Sequence, residues 1–244
     1  MSGRLALVTG ASRGIGRATA IGLAARGDHV ICVARTVGGL EETDDLVQAA
    51  GGSATLVPLD LKDGPALDRL GASIFERWGK LDALFANAGV LGALSPLSHL
   101  EPKTFDELIA VNVTANWRLI RSLDPLLRAS EAGRAVFVSS SVARKPRAFW
   151  GGYAMSKAAV ESLALTYAVE CAETKVRVNV LNPCATATAM RAKAMPGEDP
   201  ASLPSAEDVA ALAVQMLSEA WTEQGAVVNF REWRERNDTV PNSV

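Results

Sequence analysis

The stretch "VTGASRGIG", residues 8–16, decides the fold because two motifs overlap in it. Gly10, Ser12 and Gly14 spell G-x-S-x-G, the elbow that presents a serine nucleophile in many hydrolases. Gly10, Gly14 and Gly16 spell G-x-x-x-G-x-G, a turn whose bare backbone can approach phosphates. Both readings expect a strand before and a helix after, and the apolar run "LALVT" supplies the strand. At a helix start, such a turn offers unpaired N–H groups and a positive dipole end to an anion. A hydrolase needs an acid and then a His downstream, and an oxyanion loop upstream. Nothing upstream of Gly10 could supply that loop. His29 opens the next strand, at its amino edge, and His99 falls in a loop after strand four, where position alone does not exclude it. The phosphate reading is preferred, and a second site must agree with it.

Six further apolar runs follow: "HVICVA", "ATLVPL", "LDALFA", "RAVFVS", "VRVNVL" and "AVVNF". Longer stretches with helical periodicity separate them. Near-continuous apolar strands alternating with helices predict an α/β fold, a doubly wound Rossmann-type domain of about seven parallel strands. Gly27 and the pair Gly51, Gly52 stand where helix C-caps are expected. The 244 residues, 48% hydrophobic, suit one dinucleotide-binding domain over 1–244. After the sixth strand, residues 184–204 carry Pro, Gly and small residues at the carboxyl edge of the sheet, the place of a substrate lid.

The net charge of −2 gives no global field to draw in nucleic acid or a membrane surface. "LALVT" is too short for a signal core and no apolar stretch approaches membrane length, so a soluble, cytoplasmic protein is expected. Three cysteines, Cys32, Cys171 and Cys184, form no C-x-x-C pair, so neither a disulfide framework nor a metal motif is indicated.

The second site is "SSSVARKPRAFWGGYAMSK". Tyr153 and Lys157 are spaced i, i+4 at the start of a helix and share one face. A nearby ammonium favours a phenolate and lowers the tyrosine pKa. Ser140 ends a strand at the same sheet edge, where it can hydrogen-bond a carbonyl oxygen.

With these two sites together, the chain resembles a short-chain dehydrogenase/reductase over nearly its whole length. "TGASRGIG" resembles the family's T-G-x-x-x-G-x-G. "FANAG" resembles its N-N-A-G, with Ala86 in place of the first Asn, and "VNV" around Asn112 matches the helix bearing the fourth catalytic residue. "VFVSSSVARKPRAFWGGYAMSK" and "NPCATATAMRAKAMPGEDP" look most like a bacterial YciK-like branch.

The resemblance implies strand order 3-2-1-4-5-6-7 and hydride transfer between a nicotinamide and a carbonyl or alcohol substrate. Asn112, Ser140, Tyr153 and Lys157 are the implied catalytic residues. Tyr153 would be the general acid or base, Ser140 would polarise the oxygen, Lys157 would lower the Tyr153 pKa and hold the ribose, and Asn112 would help hold a water. The implied cofactor contacts are Gly10, Ser12, Arg13, Gly14, Ile15, Gly16, Arg35, Asp60, Leu61, Asn87, Ala88, Gly89, Tyr153, Lys157, Pro183, Cys184, Thr186 and Thr188. Ala34 stands where the family's NAD enzymes usually carry Asp, while Arg35 and Arg13 can receive a 2′-phosphate, so NADP(H) is favoured over NAD(H). Cys184 replaces a Gly after Pro183, a strained substitution if φ is positive there. The last strand lacks the family's Asp-Gly-Gly, which weakens a tetramer relative to a dimer, although a homo-oligomer is implied. Arg144, Lys145, Arg147, Arg191 and Lys193 could receive an anionic substrate or could be solvated surface. The alternative to an enzyme is a dinucleotide-binding regulatory or scaffold protein with little turnover.

Overall fold

The computed structural model describes residues 3–238, so the ends of the 1–244 span and the C-terminal stretch beyond Asp238 lie outside the described residues. Seven strands form one sheet in the order β3-β2-β1-β4-β5-β6-β7. They are β1 (Leu5–Thr9), β2 (His29–Ala34), β3 (Ser53–Pro58), β4 (Ala83–Ala86), β5 (Arg134–Val138), β6 (Arg177–Asn182) and β7 (Val227–Asn229). Every neighbouring pair is parallel. The central strands are buried on both faces, which is why they read as continuous apolar runs and not as alternating ones.

Helices α1 (Gly14–Ala25), α2 (Val37–Ala49) and α8 (Ala206–Met216) cover one face. There Val8, Cys32 and Phe85 meet Leu23, Leu40 and Leu212. Helices α3 (Gly64–Trp78), α5 (Ala115–Arg128) and α6 (Gly151–Glu170) cover the other, where Leu7, Ile31 and Phe137 meet Leu67, Leu119 and Val160. Each such side chain, fully buried, contributes roughly 1.5–3 kcal/mol. Helix α4 (Pro102–Leu108) runs through a π-helical turn, Ile109–Thr114, into α5, and α7 (Ala189–Ala194) and α9 (Phe230–Asp238) are the other two helices among the described residues. Gly27 (φ 97°) and Gly51 (φ 79°) take the left-handed positions after α1 and α2. Among the described residues no helix is long and apolar enough to cross a membrane.

Two elements differ from their sequence reading. The "AVVNF" strand stops at Asn229, and Phe230, fully buried, opens α9 instead. The 184–204 segment contains the short helix α7 capped by the Thr188 hydroxyl, and its two ends are pinned by Ala187 N–H donating to Pro204 O at 2.8 Å.

The opposite, amino edge of the sheet is held by Asp82. It accepts from Leu5 N–H (2.9 Å), the Ser130 hydroxyl (2.6 Å) and Lys80 Nζ (3.0 Å). Burial alone would raise its pKa, but these donors outweigh burial and hold it below the usual carboxylate value. Because the folded pKa lies below the unfolded one, the stabilisation is full above about pH 4 and is lost as pH falls through the folded value. Asp82→Ala orphans the Leu5 amide and is expected to cost about 1–3 kcal/mol at neutral pH, read from urea unfolding, with the deficit shrinking in acid.

Candidate active site

All the nominated residues gather at the carboxyl edge of the sheet, after β1, β2, β3, β4, β5 and β6. In a doubly wound sheet this edge holds the ligand crevice. The glycine turn after β1 is shaped for a close backbone approach. Gly10 and Gly14 have φ of 69° and 54°. A Cβ on Gly16 would stand 2.2 Å from Gly10 O, and one on Gly10 would stand 2.9 Å from Asn87 Nδ2. Arg13, the N-cap of α1, is extended and gives no side-chain cap to the first-turn amides. Those amides are left for an anion, so the cradle fits a dinucleotide pyrophosphate. Ile15 packs its side chain against α8 and offers only its main chain there.

Thr9 clamps the neighbouring turn. Its hydroxyl accepts from the amides of Asn87 and Ala88 at 3.0 Å each, and its carbonyl accepts from Asn87 Nδ2 at 3.0 Å. A Cβ on Gly89 would lie 3.2 Å from Asn112 Oδ1 and 3.4 Å from Lys157 Nζ, so this turn also touches the second site. After β2, Ala34 is buried while Arg35 is exposed, as is Arg13. Neither arginine is in a salt bridge among the described residues, whereas Arg17 donates to Ser12 O, Gly39 O and Glu42. Arg17 ties the glycine turn to α2, a role the sequence reading missed. After β3, Asp60 accepts from Lys62 N–H and Asp63 takes the N-cap of α3. Leu61 is buried in the core, so only its main chain faces a ligand.

The second site is built around α6. Lys157 Nζ donates to Val138 O at 2.7 Å and lies 5.8 Å from the Tyr153 ring centroid. Burial pulls its pKa down to about 8. Burial pushes the Tyr153 hydroxyl up to about 12, and the influence of the Ser140 side chain only partly offsets this. The net shift is therefore upward, opposite to the direction in which Lys157 acts. Lys157 keeps its charge while donating to a carbonyl, and desolvation of the phenolate is the larger effect.

Asn112 sits in the π turn, fully buried. Its Nδ2 donates to Val90 O and Ser156 Oγ at 2.9 Å each, and its Oδ1 accepts from Val90 N–H at 2.8 Å. It is therefore bonded across the site and not locally within its helix. Ser156 had no sequence signal beyond its place between Tyr153 and Lys157. Ser139 donates to buried Glu161 at 2.7 Å, tying the Ser140 turn to α6. Tyr167 is buried and donates to Asp124 at 2.8 Å, a packing role.

After β6, Cys184 has φ 59°, the strained conformation expected where a Gly is replaced. Its Sγ donates to Asn229 Oδ1 at 3.0 Å. The Thr186 hydroxyl donates to Pro183 O, and the Thr188 methyl lies 3.6 Å from where a Gly14 Cβ would be, so the segment folds back over the glycine turn. The structure removes His29 from the hydrolase alternative. His29 holds Ser53 and Thr55 at 2.8 Å each at the amino edge, far along the strand from Ser12.

A glycine cradle and a buried Tyr–Lys pair on one crevice of a parallel sheet define a nicotinamide-dependent oxidoreductase. The chain belongs to the short-chain dehydrogenase family, whose sequence profile matches residues 4–199. It is 38% identical over 222 residues to the uncharacterised oxidoreductase YciK of Escherichia coli K12, covering 90% of this chain and 88% of that one. A short chain dehydrogenase from Shigella flexneri 2a, solved in complex with NADP, superposes with a TM-score of 0.89 at 36% identity, covering 93% of this chain and 97% of that one. An uncharacterised NAD-dependent oxidoreductase of Mycobacterium tuberculosis H37Rv is 36% identical over 204 residues, 78% of this chain and 74% of that one. The chain is thus an NAD(P)-dependent dehydrogenase or reductase.

Proposed function

We propose that the protein transfers hydride between NADP(H) and a carbonyl or alcohol carbon, with Tyr153 as general acid and base. The observation that carries this is the buried Tyr153 hydroxyl, beside Ser140 and one helical turn from buried Lys157, on the edge that bears the glycine cradle. When bound, the nicotinamide supplies or takes up the hydride. Tyr153 holds the proton destined for the carbonyl oxygen, and its raised pKa keeps that proton in place at neutral pH. Ser140 donates to the same oxygen and stabilises the charge that develops on it. Lys157 holds the ribose and the field at Tyr153. The Asn112 side chain fixes the Val90 turn, and its carbonyl, which accepts from Asn116 Nδ2, keeps a second lone pair for a relay water. In the alcohol direction Tyr153 accepts the proton.

Gly10, Gly14, Gly16, Ser12 and the Ile15 amide would hold the diphosphate, Asp60 and Leu61 the adenine, and Asn87 to Gly89 the ribose side. Pro183, Cys184, Thr186 and Thr188 would wall the nicotinamide, with 184–204 as the lid of a one-domain enzyme. Oligomerisation, as dimer or tetramer, would use the outer faces of α5 and α6, where Trp117 and Val169 are exposed.

NADP preference rests on buried Ala34 and the two exposed guanidiniums, Arg13 and Arg35. Arg35→Ala should weaken NADPH binding by about ten- to a hundredfold, the worth of a charged hydrogen bond, and leave NADH binding unchanged. Titration of both cofactors by fluorescence checks this, and equal wild-type affinities would overturn the preference.

A further inference from the structure

Away from Ser140 and Lys157, the Tyr153 side chain has apolar neighbours. Tyr153 belongs to an apolar cluster with Leu91, Leu108 and Val142, against which Leu94, Trp150 and Ala194 pack. The Trp150 ring stands edge-on to it, 6.1 Å between centroids. From the lid helix α7, Met190 Sδ lies 4.0 Å from Tyr153 Oη, with the Met190 side chain about a third exposed. A carbonyl oxygen that accepts from Tyr153 therefore brings its carbon skeleton against a thioether and an indole.

Two of the basic side chains near the mouth, Arg144 and Arg191, already have carboxylate partners. Arg144 Nε donates to Glu161 at 2.7 Å. Arg191 forms a two-pronged pair with Glu198, at 2.5 and 2.6 Å, inside the lid. Within 184–204 the charges of Arg191 and Lys193 are matched by Glu198 and Asp199. Lys145, Arg147 and Lys193 are exposed, and Arg147 acts on Glu198.

We propose that the substrate is an uncharged, apolar ketone or aldehyde, selected by the wall of Met190 and Trp150. This rests on the carbonyl reading given above. An ionised substrate group would have to sit unpaired against that wall, a costly desolvation. The unbranched, polarizable methionine lets the wall adapt to rings and branched chains.

The test compares 4-tert-butylcyclohexanone, 4-oxocyclohexanecarboxylate and acetoacetyl-CoA as substrates with NADPH. Calorimetry of 4-tert-butylcyclohexanol on NADPH-saturated protein, a ternary complex that cannot react, gives a readout independent of turnover. The expected kcat/KM is at least about tenfold higher for the tert-butyl ketone than for either anion. Met190→Ala should raise KM for that ketone and weaken alcohol binding, and volume-matched Met190→Leu should restore both. Preference for the carboxylate or the CoA ester overturns this inference and leaves the oxidoreductase reading standing. NADPH binding with turnover of none of the three overturns both. A Met190→Ala variant equal to wild type in both readouts overturns the assignment of the wall.

Discussion

Tyr153→Phe is expected to lower kcat for NADPH-dependent carbonyl reduction by about 10²–10⁴-fold, the usual worth of a positioned proton donor. The variant removes one buried oxygen. The ring keeps its packing against Trp150 and Val142, so the fold and the cofactor cradle should survive. NADPH affinity should therefore hold while turnover collapses. That split separates the enzyme from a regulatory protein that merely binds the dinucleotide. A wild-type protein that binds NADPH tightly and reduces nothing across a broad carbonyl panel would support the regulatory reading. Turnover that survives the substitution would remove Tyr153 from the chemistry, and ester hydrolysis lost in Ser12→Ala would restore the serine elbow.

The parts of this molecule that depend on local spacing were legible in its sequence. The glycine turn is one, because Gly10 and Gly14 require positive φ and Gly16 requires close approach. The Tyr153–Lys157 pair is another, because i, i+4 on a helix fixes a shared face whatever lies around it. The strand order was legible through resemblance, and the sheet agrees with it. What depends on distant partners was not. The π turn at Asn112 is held through Val90, 22 positions away, and no periodicity announces it. Arg144 and Arg191 looked free in sequence, and each found a carboxylate in space: Glu161, one turn beyond Lys157 on α6, and Glu198 across the lid. The net direction of the Tyr153 pKa was not legible for the same reason. Neighbouring charge can be read from a sequence, but the degree of burial cannot, and here burial is the larger effect.

That burial makes Lys157 the group whose titration the reaction should feel. With its pKa drawn down to about 8, it is charged at neutral pH and loses its proton at mildly alkaline pH, while Tyr153 stays protonated toward about 12. In reduction the proton donor is therefore intact throughout this range, and the loss falls on the positive field beside it. The reductive kcat should be flat below about pH 7 and decline as pH rises through the lysine value. Oxidation needs the phenolate, so its rate should rise with pH over the same interval. Lys157→Met keeps the length and apolar stem but removes the charge. It should cost about 10²–10³-fold in kcat, the scale of one lost electrostatic contact to the reacting centre, and erase the alkaline limb. Stability should change little, since relief of a buried charge opposes the loss of the donor to Val138 O. Rate profiles of both proteins in both directions, with melting curves alongside, decide the matter. An alkaline decline in reduction that persists unchanged in Lys157→Met would assign it to another group.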